Sequence, residues 1–290
     1  MAGPVADQLV KPGSGRGLLD VYGDRFLLKL LVRKEIKIRY RGSVLGLMWS
    51  YVKPLMQFLI YFIALGIFLN LERGTPNYAI YLFSGIVLVN FFTESLSNAT
   101  RSIVDNRDLI RKIYLPRELF PVATVWVSAA HFLPQLLVLV AACLLVGWTP
   151  SIVQLAAAVL IFVMVAVLAT GLGLMFGAVN VYFRDSENIV DMIVMVVTWA
   201  SPVLYVWTMV ERVMGPWFWV YQLNPMTTAV EVFHWAFWEP TLKAEQMVSD
   251  TMPPDLLSFW LPVSLLTSVA ILFLGQLMFR RLSVHFAQEL

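Results

Sequence analysis

The stretch IVQLAAAVLIFVMVAVLATGLGLMFGAV, Ile152–Val179, decides the fold class, because it runs on without a single Asp, Glu, Lys or Arg. A helix needs about 20 mostly apolar residues to cross the roughly 30 Å hydrocarbon layer of a membrane, and this stretch exceeds that length. Further apolar runs flank it at Ser50–Leu69, Ala79–Asn98, Leu119–Val146, Ile189–Val206 and Phe259–Phe279. The pattern predicts an all-α integral membrane protein with six transmembrane helices. The interval between Trp217 and Trp238 is also apolar, and a seventh span there is the alternative. Against it, Gly215-Pro216 and Asn224-Pro225 cut the interval into pieces too short to cross, which fits short helices that re-enter or lie in the interface.

Composition agrees with this reading. Of the 290 residues 59% are apolar or aromatic, whereas about 45–50% is usual for a soluble domain on a similar count. Charged residues make up 14%, against roughly 25% in a soluble domain. With 19 Phe, 10 Tyr and 10 Trp, these values exclude a disordered chain, a nucleic-acid-binding domain and an ordinary cytosolic enzyme. Cys143 is the one cysteine, so neither a disulfide framework nor a thiolate metal site is expected. The first ~25 residues are polar and Gly-rich with no apolar core before a small-residue site, so no cleaved signal peptide is expected. Residues 1–25 are taken as a mobile cytoplasmic tail, and 26–290 as one transmembrane domain.

Lys and Arg fall almost entirely on one side of this pattern. Nine precede Met48, five lie between the second and third spans (Arg101, Arg107, Arg111, Lys112, Arg117), one is Arg184 and two are Arg280 and Arg281. Only Arg73, Arg212 and Lys243 fall on the other side, and Lys53 begins the first span. The positive-inside rule then places both termini in the cytoplasm of a multi-pass inner or plasma membrane protein. The long connection Trp207–Ser258 lies outside and carries Trp207, Trp217, Trp219, Trp235 and Trp238.

Two cytoplasmic segments have patterns that a plain loop does not require. FLLKLLVRKEIKIRYR, Phe26–Arg41, carries Lys29, Arg33, Lys37 and Arg41 at four-residue spacing, a basic stripe with Leu27, Leu31 and Ile38 on another face. Such a helix suits anionic lipid headgroups, and contact with a cytoplasmic partner is compatible with that. DNRDLIRKIYLPRE, Asp105–Glu118, offers Asp105 as an N-cap, Asp108 in the first turn and Pro116 as the stop. Its short helix brings together Leu109, Ile110, Ile113 and Tyr114, flanked by Arg107, Arg111 and Lys112. These side chains either dock on the chain's own inner surface or fill a groove on another subunit.

Several smaller features admit both a structural and a functional reading. Gly171, Gly173 and Gly177 form a small-residue face for close helix packing within the chain or between copies. His131, three residues before Pro134, suits a polar contact inside the bundle. Glu94 and Asp191, near the inner ends of their spans, are either functional groups or members of structural ion pairs. Glu231 and His234 lie three apart, but a single Glu-x-x-His is weak grounds for a metal, and none is expected. No G-x-x-x-x-G-K-[ST], H-E-x-x-H or nucleophile elbow occurs, so the chain is expected to be neither an ATPase nor another enzyme.

Five ordered motifs then point to one family: Leu31–Phe68 (LVRKEIKIRYRGSVLGLMWSYVKPLMQFLIYFIALGIF), VDNRDLIRKIYLPRELFP, NVYFRDSENI, SPVLY and LNPMTTAVEVF. From about Phe26 to its end the chain resembles the permease subunit of type-2 ABC exporters for lipid-linked cell-surface polysaccharides, of the O-antigen, capsule and teichoic-acid type. The resemblance implies an interface helix at Phe26–Arg41 and a coupling helix at Asp105–Tyr114, seated in an ATPase groove. It places the family's N-x-Y-F-R-D stretch at Asn180, Arg184 and Asp185, and short outer re-entrant helices at Asn224–Trp238. It implies a homodimer with two copies of a cytoplasmic ABC ATPase, ATP and magnesium on that partner, no cofactor on this chain, and no nucleic acid. The wording of the whole chain is most like exporters of a cell-wall galactan precursor.

A wide hydrated polymer suits a path between two copies better than one inside a six-helix bundle. Aromatic rings can stack on the apolar faces of sugars, so Tyr51, Phe58 and Phe62 on the first span, and Trp199 and Tyr205 on the fifth, are candidate path residues. The same rings also serve as interfacial anchors. The alternatives are an ABC permease for a drug or lipid, an ion-coupled secondary transporter, which needs mid-membrane ionisable groups and paired broken helices, and a membrane-embedded transferase.

Overall fold

The computed structural model describes residues 17–44, 46–112, 115–243 and 251–289, and every regular element among them is helical. In chain order the helices are α1 (Leu18–Gly23), α2 (Arg25–Arg39), α3 (Trp49–Tyr61), α4 (Tyr78–Asp105), α5 (Arg107–Lys112), α6 (Leu119–Val146) and α7 (Ile152–Tyr182). They continue with α8 (Ser186–Ala200), α9 (Trp207–Met214), α10 (Phe218–Gln222), α11 (Pro225–Phe237), α12 (Leu261–Ser283) and α13 (Phe286–Glu289). Among the described residues five helical runs are long and apolar enough to cross a membrane: Trp49–Phe68, Tyr78–Asp105, Leu119–Leu145, Ile152–Tyr182 and Leu256–Ser283. Most of the expected tail, residues 1–16, lies outside the described residues; its last part forms α1, whose Val21 is buried.

The charge-free stretch becomes the axis of the bundle. At about 1.5 Å per residue α7 is roughly 46 Å long, enough to cross with tilt. Its start is fixed by a capping box: the Ser151 hydroxyl accepts from the Gln154 backbone N–H at 3.2 Å, and Gln154 Oε1 accepts from the Ser151 N–H at 2.8 Å. Its glycines serve packing within the chain. A Cβ on Gly173 would lie 2.4 Å from the Ala99 Cβ of α4, and one on Gly177 would lie 3.0 Å from the Ala99 carbonyl oxygen. Gly171 faces the other way, and its Cβ would come 2.6 Å from the backbone of Leu272 on α12. Small residues thus let α7 approach α4 and α12 backbone to backbone, the contact that holds helices together in lipid.

α4 is the most enclosed span, with most of its residues buried, whereas on α3 only Pro54 is buried. The larger apolar core joins α4 to α6, α7 and α11 through Phe91, Phe132, Phe162 and Phe233. A second, smaller core lies at the basic end. There Leu31 of α2, Ile103, Leu119, Phe120, Leu174, Phe279 and Phe286 are buried together.

The fifth expected span differs from the others. α8 stops after 15 residues, about 22 Å at helical rise. The residue before a proline is disfavoured in the α region, and Ser201, which precedes Pro202, is extended at φ −103 and ψ 148. The expected run to Val206 therefore becomes a helix followed by irregular chain, and among the described residues the long apolar helices number five where the sequence predicts six.

The Trp-rich connection folds inward. The Asn224 side chain caps α11 by accepting from the Met226 N–H at 3.1 Å, with Pro225 in the first turn. The helix is 13 residues long and nearly all of it is buried. Its first turn approaches the end of α8, where Thr227 Oγ1 donates to the Ala200 carbonyl at 3.4 Å. Its last turn is held from three sides. Gln154 Nε2 donates to the Trp235 carbonyl at 3.0 Å, Trp148 Nε1 to the Ala236 carbonyl at 3.1 Å, and Trp238 Nε1 to the Pro76 carbonyl at 2.7 Å.

Candidate functional site

The basic stripe and the short α5 helix meet at one end of the bundle. Lys29, Arg33, Lys37 and Arg41 are all exposed, and Arg41 lies just past the end of α2. Of the apolar residues expected on the other face, Leu31 is buried, Leu27 is half-buried and Ile38 is exposed.

In the second segment Asp105 is the last residue of α4 rather than an N-cap. Asn106 takes the junction, and its carbonyl accepts from the N–H groups of Leu109 at 3.0 Å and Ile110 at 3.1 Å. On α5, Arg107, Asp108, Arg111 and Lys112 are exposed. Leu109 and Ile110 are half-buried and pack on the second core. The face turned away from the chain is thus charged, while the apolar pair anchors the helix to its own bundle. Ile113 and Tyr114 lie outside the described residues.

Residues off the stripe tie α2 to the bundle. Lys34 Nζ donates to Asn106 Oδ1, joining α2 to the α4–α5 junction. Arg39 pairs with Glu94 of α4. His131 of α6 has Nδ1 2.6 Å from the same Glu94 oxygen and 2.9 Å from Arg39 Nη1, and its Nε2 is 2.9 Å from the Tyr40 hydroxyl. Tyr40 Oη is in turn 2.7 Å from Ser50 Oγ. A proton on Nδ1 donates to the carboxylate and leaves Nε2 to accept from Tyr40, whose oxygen then accepts from Ser50. Glu94 and His131, singled out separately in the sequence, are therefore one network. Lys34, Arg39 and Tyr40 carried no sequence signal, since the partners lie 91 positions apart for Tyr40–His131, 72 for Lys34–Asn106 and 55 for Arg39–Glu94.

The network makes a stability prediction. Glu94→Gln keeps the shape but leaves Arg39 without its carboxylate. With Arg39 37% exposed, solvent screens the loss to about 1–2 kcal/mol. The expected result is a Tm lowered by a few degrees in the detergent-purified chain; an unchanged Tm would mean that water serves Arg39 equally well.

At the far end of α7, Asn180 is fully buried and donates to the Thr100 carbonyl at 3.2 Å and to Glu187 Oε1 at 3.0 Å. Glu187 also pairs with Arg101 at 3.0 Å, and Asp191 reaches the same guanidinium at 3.8 Å. Arg184 and Asp185 are exposed beside this cluster.

The candidate path aromatics fall into two groups. Phe58 and Phe62 stack on each other at 5.6 Å and pack on Phe83 and Tyr78 of α4. Trp199 and Tyr205 are joined by the Tyr205 hydroxyl, which donates to the Trp199 carbonyl at 2.7 Å, and Trp199 is exposed. Tyr51 is exposed on α3. Two residues that sequence reading passed over bridge the groups. Tyr78 donates to the Leu204 carbonyl at 3.0 Å and Tyr81 to the Tyr205 carbonyl at 2.9 Å, fixing the irregular chain after α8.

Glu231 and His234 are both buried, 4.0 Å apart, with the His234 ring stacked on Tyr81 at 3.8 Å. No group of three or more His, Cys, Asp or Glu with metal-binding geometry occurs among the described residues.

Comparison with known proteins covers nearly the whole chain. Residues 27–238 match the family described as ABC-2 type transporter. Two proteins of Klebsiella pneumoniae named O-antigen export system permease protein RfbA are 26% and 25% identical over 264 residues, which is 91% of this chain and 95% of each of them. A Myxococcus xanthus protein of the same name is 28% identical over 250 residues, 86% of this chain and 94% of its own length.

Proposed function

The chain belongs to the ABC-2 type transporter family, and from that premise we propose that it is the membrane subunit of an exporter for a lipid-linked cell-surface polysaccharide. It is a multi-pass membrane permease, and such permeases work with an ATP-binding subunit. The observation that carries the cargo is the alignment, over 86–91% of the chain, with permeases named for O-antigen export. An O-antigen is the first cargo this suggests, and the galactan precursor that the wording of the chain resembles is the second.

In this reading residues 26–290 form the transport domain, with both termini in the cytoplasm where 17 of the 21 Lys and Arg lie. α8 and the irregular residues after it make the sixth crossing, the roughly 22 Å of helix covering most of a 30 Å layer. α11 re-enters from the outside. Two copies of the chain pair, with the exposed α3 and Trp199 turned towards a shared path, and two ATPase subunits carry ATP and magnesium.

Coupling runs through α5 and α2. A push on Arg107, Asp108, Arg111 and Lys112 reaches α4 through Asn106 and reaches α2 through Lys34, while Arg39 and Tyr40 pass it on to α4, α6 and the start of α3. The chain thus supplies the moving walls, and ATP hydrolysis on the partner supplies the work.

Depleting the chain in cells tests the proposal. Lipid-linked polymer is expected to accumulate inside, protected from an external glycosidase, while surface polymer falls. Unchanged surface polymer would sink the reading.

A further inference from the structure

α11 is buried along nearly its whole length, yet it carries Glu231 and His234, each 1% exposed. Three positions apart on a helix they share a face, and Glu231 Oε2 is 4.0 Å from His234 Nδ1, beyond hydrogen-bond reach. The titratable groups that stand against them are tyrosines. From α4 comes the Tyr81 ring stacked on the imidazole, with the Tyr81 backbone carbonyl beside it and Tyr78 stacked behind. Tyr205 approaches from the irregular chain after α8, and Tyr221 from α10. Of the other helices around α11, α6, α7 and α10 have no Asp, Glu, Lys or Arg, and α12 has none before Arg280 near its far end. On α4 the first charge is Glu94, 13 positions past Tyr81 and so about 20 Å along the helix. Beyond α11, Glu239 accepts from the Thr251 hydroxyl at 3.0 Å, and Asp255 accepts from the Ser258 hydroxyl at 3.3 Å. Gly85 of α4 makes room for the imidazole, since a Cβ there would lie 3.3 Å from His234 Nε2 and 3.0 Å from Val203 Cγ1.

A net charge buried in such surroundings is far more costly than a neutral pair. The pair therefore holds one proton between its two groups, as carboxyl and imidazole or as carboxylate and imidazolium, and carries no net charge. Its polar atoms are poorly served in this position. Glu231 Oε1 and both His234 nitrogens make no hydrogen bond among the described residues. Water would satisfy all three. What keeps α11 seated is apolar packing and the three hydrogen bonds that Gln154, Trp148 and Trp238 make around its last turn.

We propose that Glu231 and His234 form a proton-loaded latch on α11: the pair takes up one proton as the helix seats and gives it up when the helix lifts into water. In water a glutamate titrates near about pH 4.3 and a histidine near about 6.5. Above about pH 6.5 the lifted pair holds no proton and the seated pair holds one, so each unit of rising pH favours lifting about tenfold. Between about pH 4.3 and 6.5 both states hold one proton, and the balance is flat. Mild acidity thus keeps α11 seated, and alkalinity frees it. The export reading supplies only the side from which the proton comes, which is the outer one; the latch itself needs neither cargo nor ATPase.

Hydrogen exchange of the full chain in phosphatidylcholine nanodiscs reads the latch, with the protection of the α11 amides corrected for the intrinsic exchange rate at each pH. Wild-type protection is expected to stay level from about pH 5 to 6.5 and then to fall about tenfold per unit up to about 8.5. Glu231→Gln leaves a seated pair with no proton and a histidine that gains one in water. Its slope should therefore be reversed, level above about pH 6.5 and falling towards 5. His234→Phe keeps a ring on Tyr81 and leaves the carboxyl alone, so its protection should fall all the way from about pH 5 to 8.5. A merely structural role would lower protection in both variants and leave the slope as in the wild type, and that result would overturn the latch. Wild-type protection that is flat above about pH 6.5 would overturn it as well, as would an equal slope in α12, which would assign the effect to unfolding of the whole chain. Surface polymer in depleted cells does not depend on this measurement, so either reading can fail alone.

Discussion

Gly275→Leu is expected to remove the folded chain from the membrane. Gly275 of α12 faces Gly171 of α7, and a Cβ there would lie 2.1 Å from the Gly171 carbonyl oxygen and 2.9 Å from its carbonyl carbon. Contact with backbone cannot be relieved by turning a side chain, so the two helices must separate. Overpacking within an ordinary core costs about 1–3 kcal/mol. Here the cost should reach or exceed the upper end, because separating the backbones also loosens the contact along α12, and close packing is what holds helices together in lipid. Gly23→Ala is the control. Nothing lies within 4 Å of a Cβ at Gly23, at the end of α1, so alanine there should be neutral or slightly stabilising. Size-exclusion profiles of fluorescent fusions read both. A monodisperse Gly275→Leu peak at wild-type height would show that α7 and α12 can part without loss.

Hydropathy made much of this architecture legible, because length and charge avoidance are properties of a segment by itself. The axis at Ile152–Val179, the glycine face and the separate short helix after Asp105 could all be read without knowing any neighbour. What could not be read are the ties between segments. Lys34, Arg39 and Tyr40 look like further members of a basic interfacial helix until folding places Asn106, Glu94 and His131 beside them. The break after Ala200 was hidden for another reason. Ser201 and Pro202 sit in an otherwise apolar run, and apolar character alone does not show that a proline has ended the helix and that Tyr78 and Tyr81 hold the released chain. The sequence left open whether Leu109 and Ile110 serve the chain's own surface or a partner; the fold packs both on the second core.

That placement determines which substitution tests coupling. Changing Leu109 or Ile110 to Asp would bury a charge against the chain's own core and confuse unfolding with uncoupling. Arg107→Glu combined with Arg111→Glu avoids this, since both side chains are exposed and surface changes usually stay within about 0.5 kcal/mol. The folded chain should therefore keep its Tm. An ATPase groove that matches these cations would instead meet like charges, a loss of several kcal/mol. We expect association with the ATPase to weaken about a hundredfold, equivalent to about 2.8 kcal/mol, and polymer export to stop. Because the groups are exposed, the wild-type association should also weaken as salt rises, with charges screened beyond about 8 Å at physiological ionic strength. Co-purification at two salt concentrations reads both effects. Association indifferent to the reversal but still sensitive to salt would transfer the contact to the exposed Lys29, Arg33 and Lys37 of α2, since that stripe is the other basic surface at this end of the bundle.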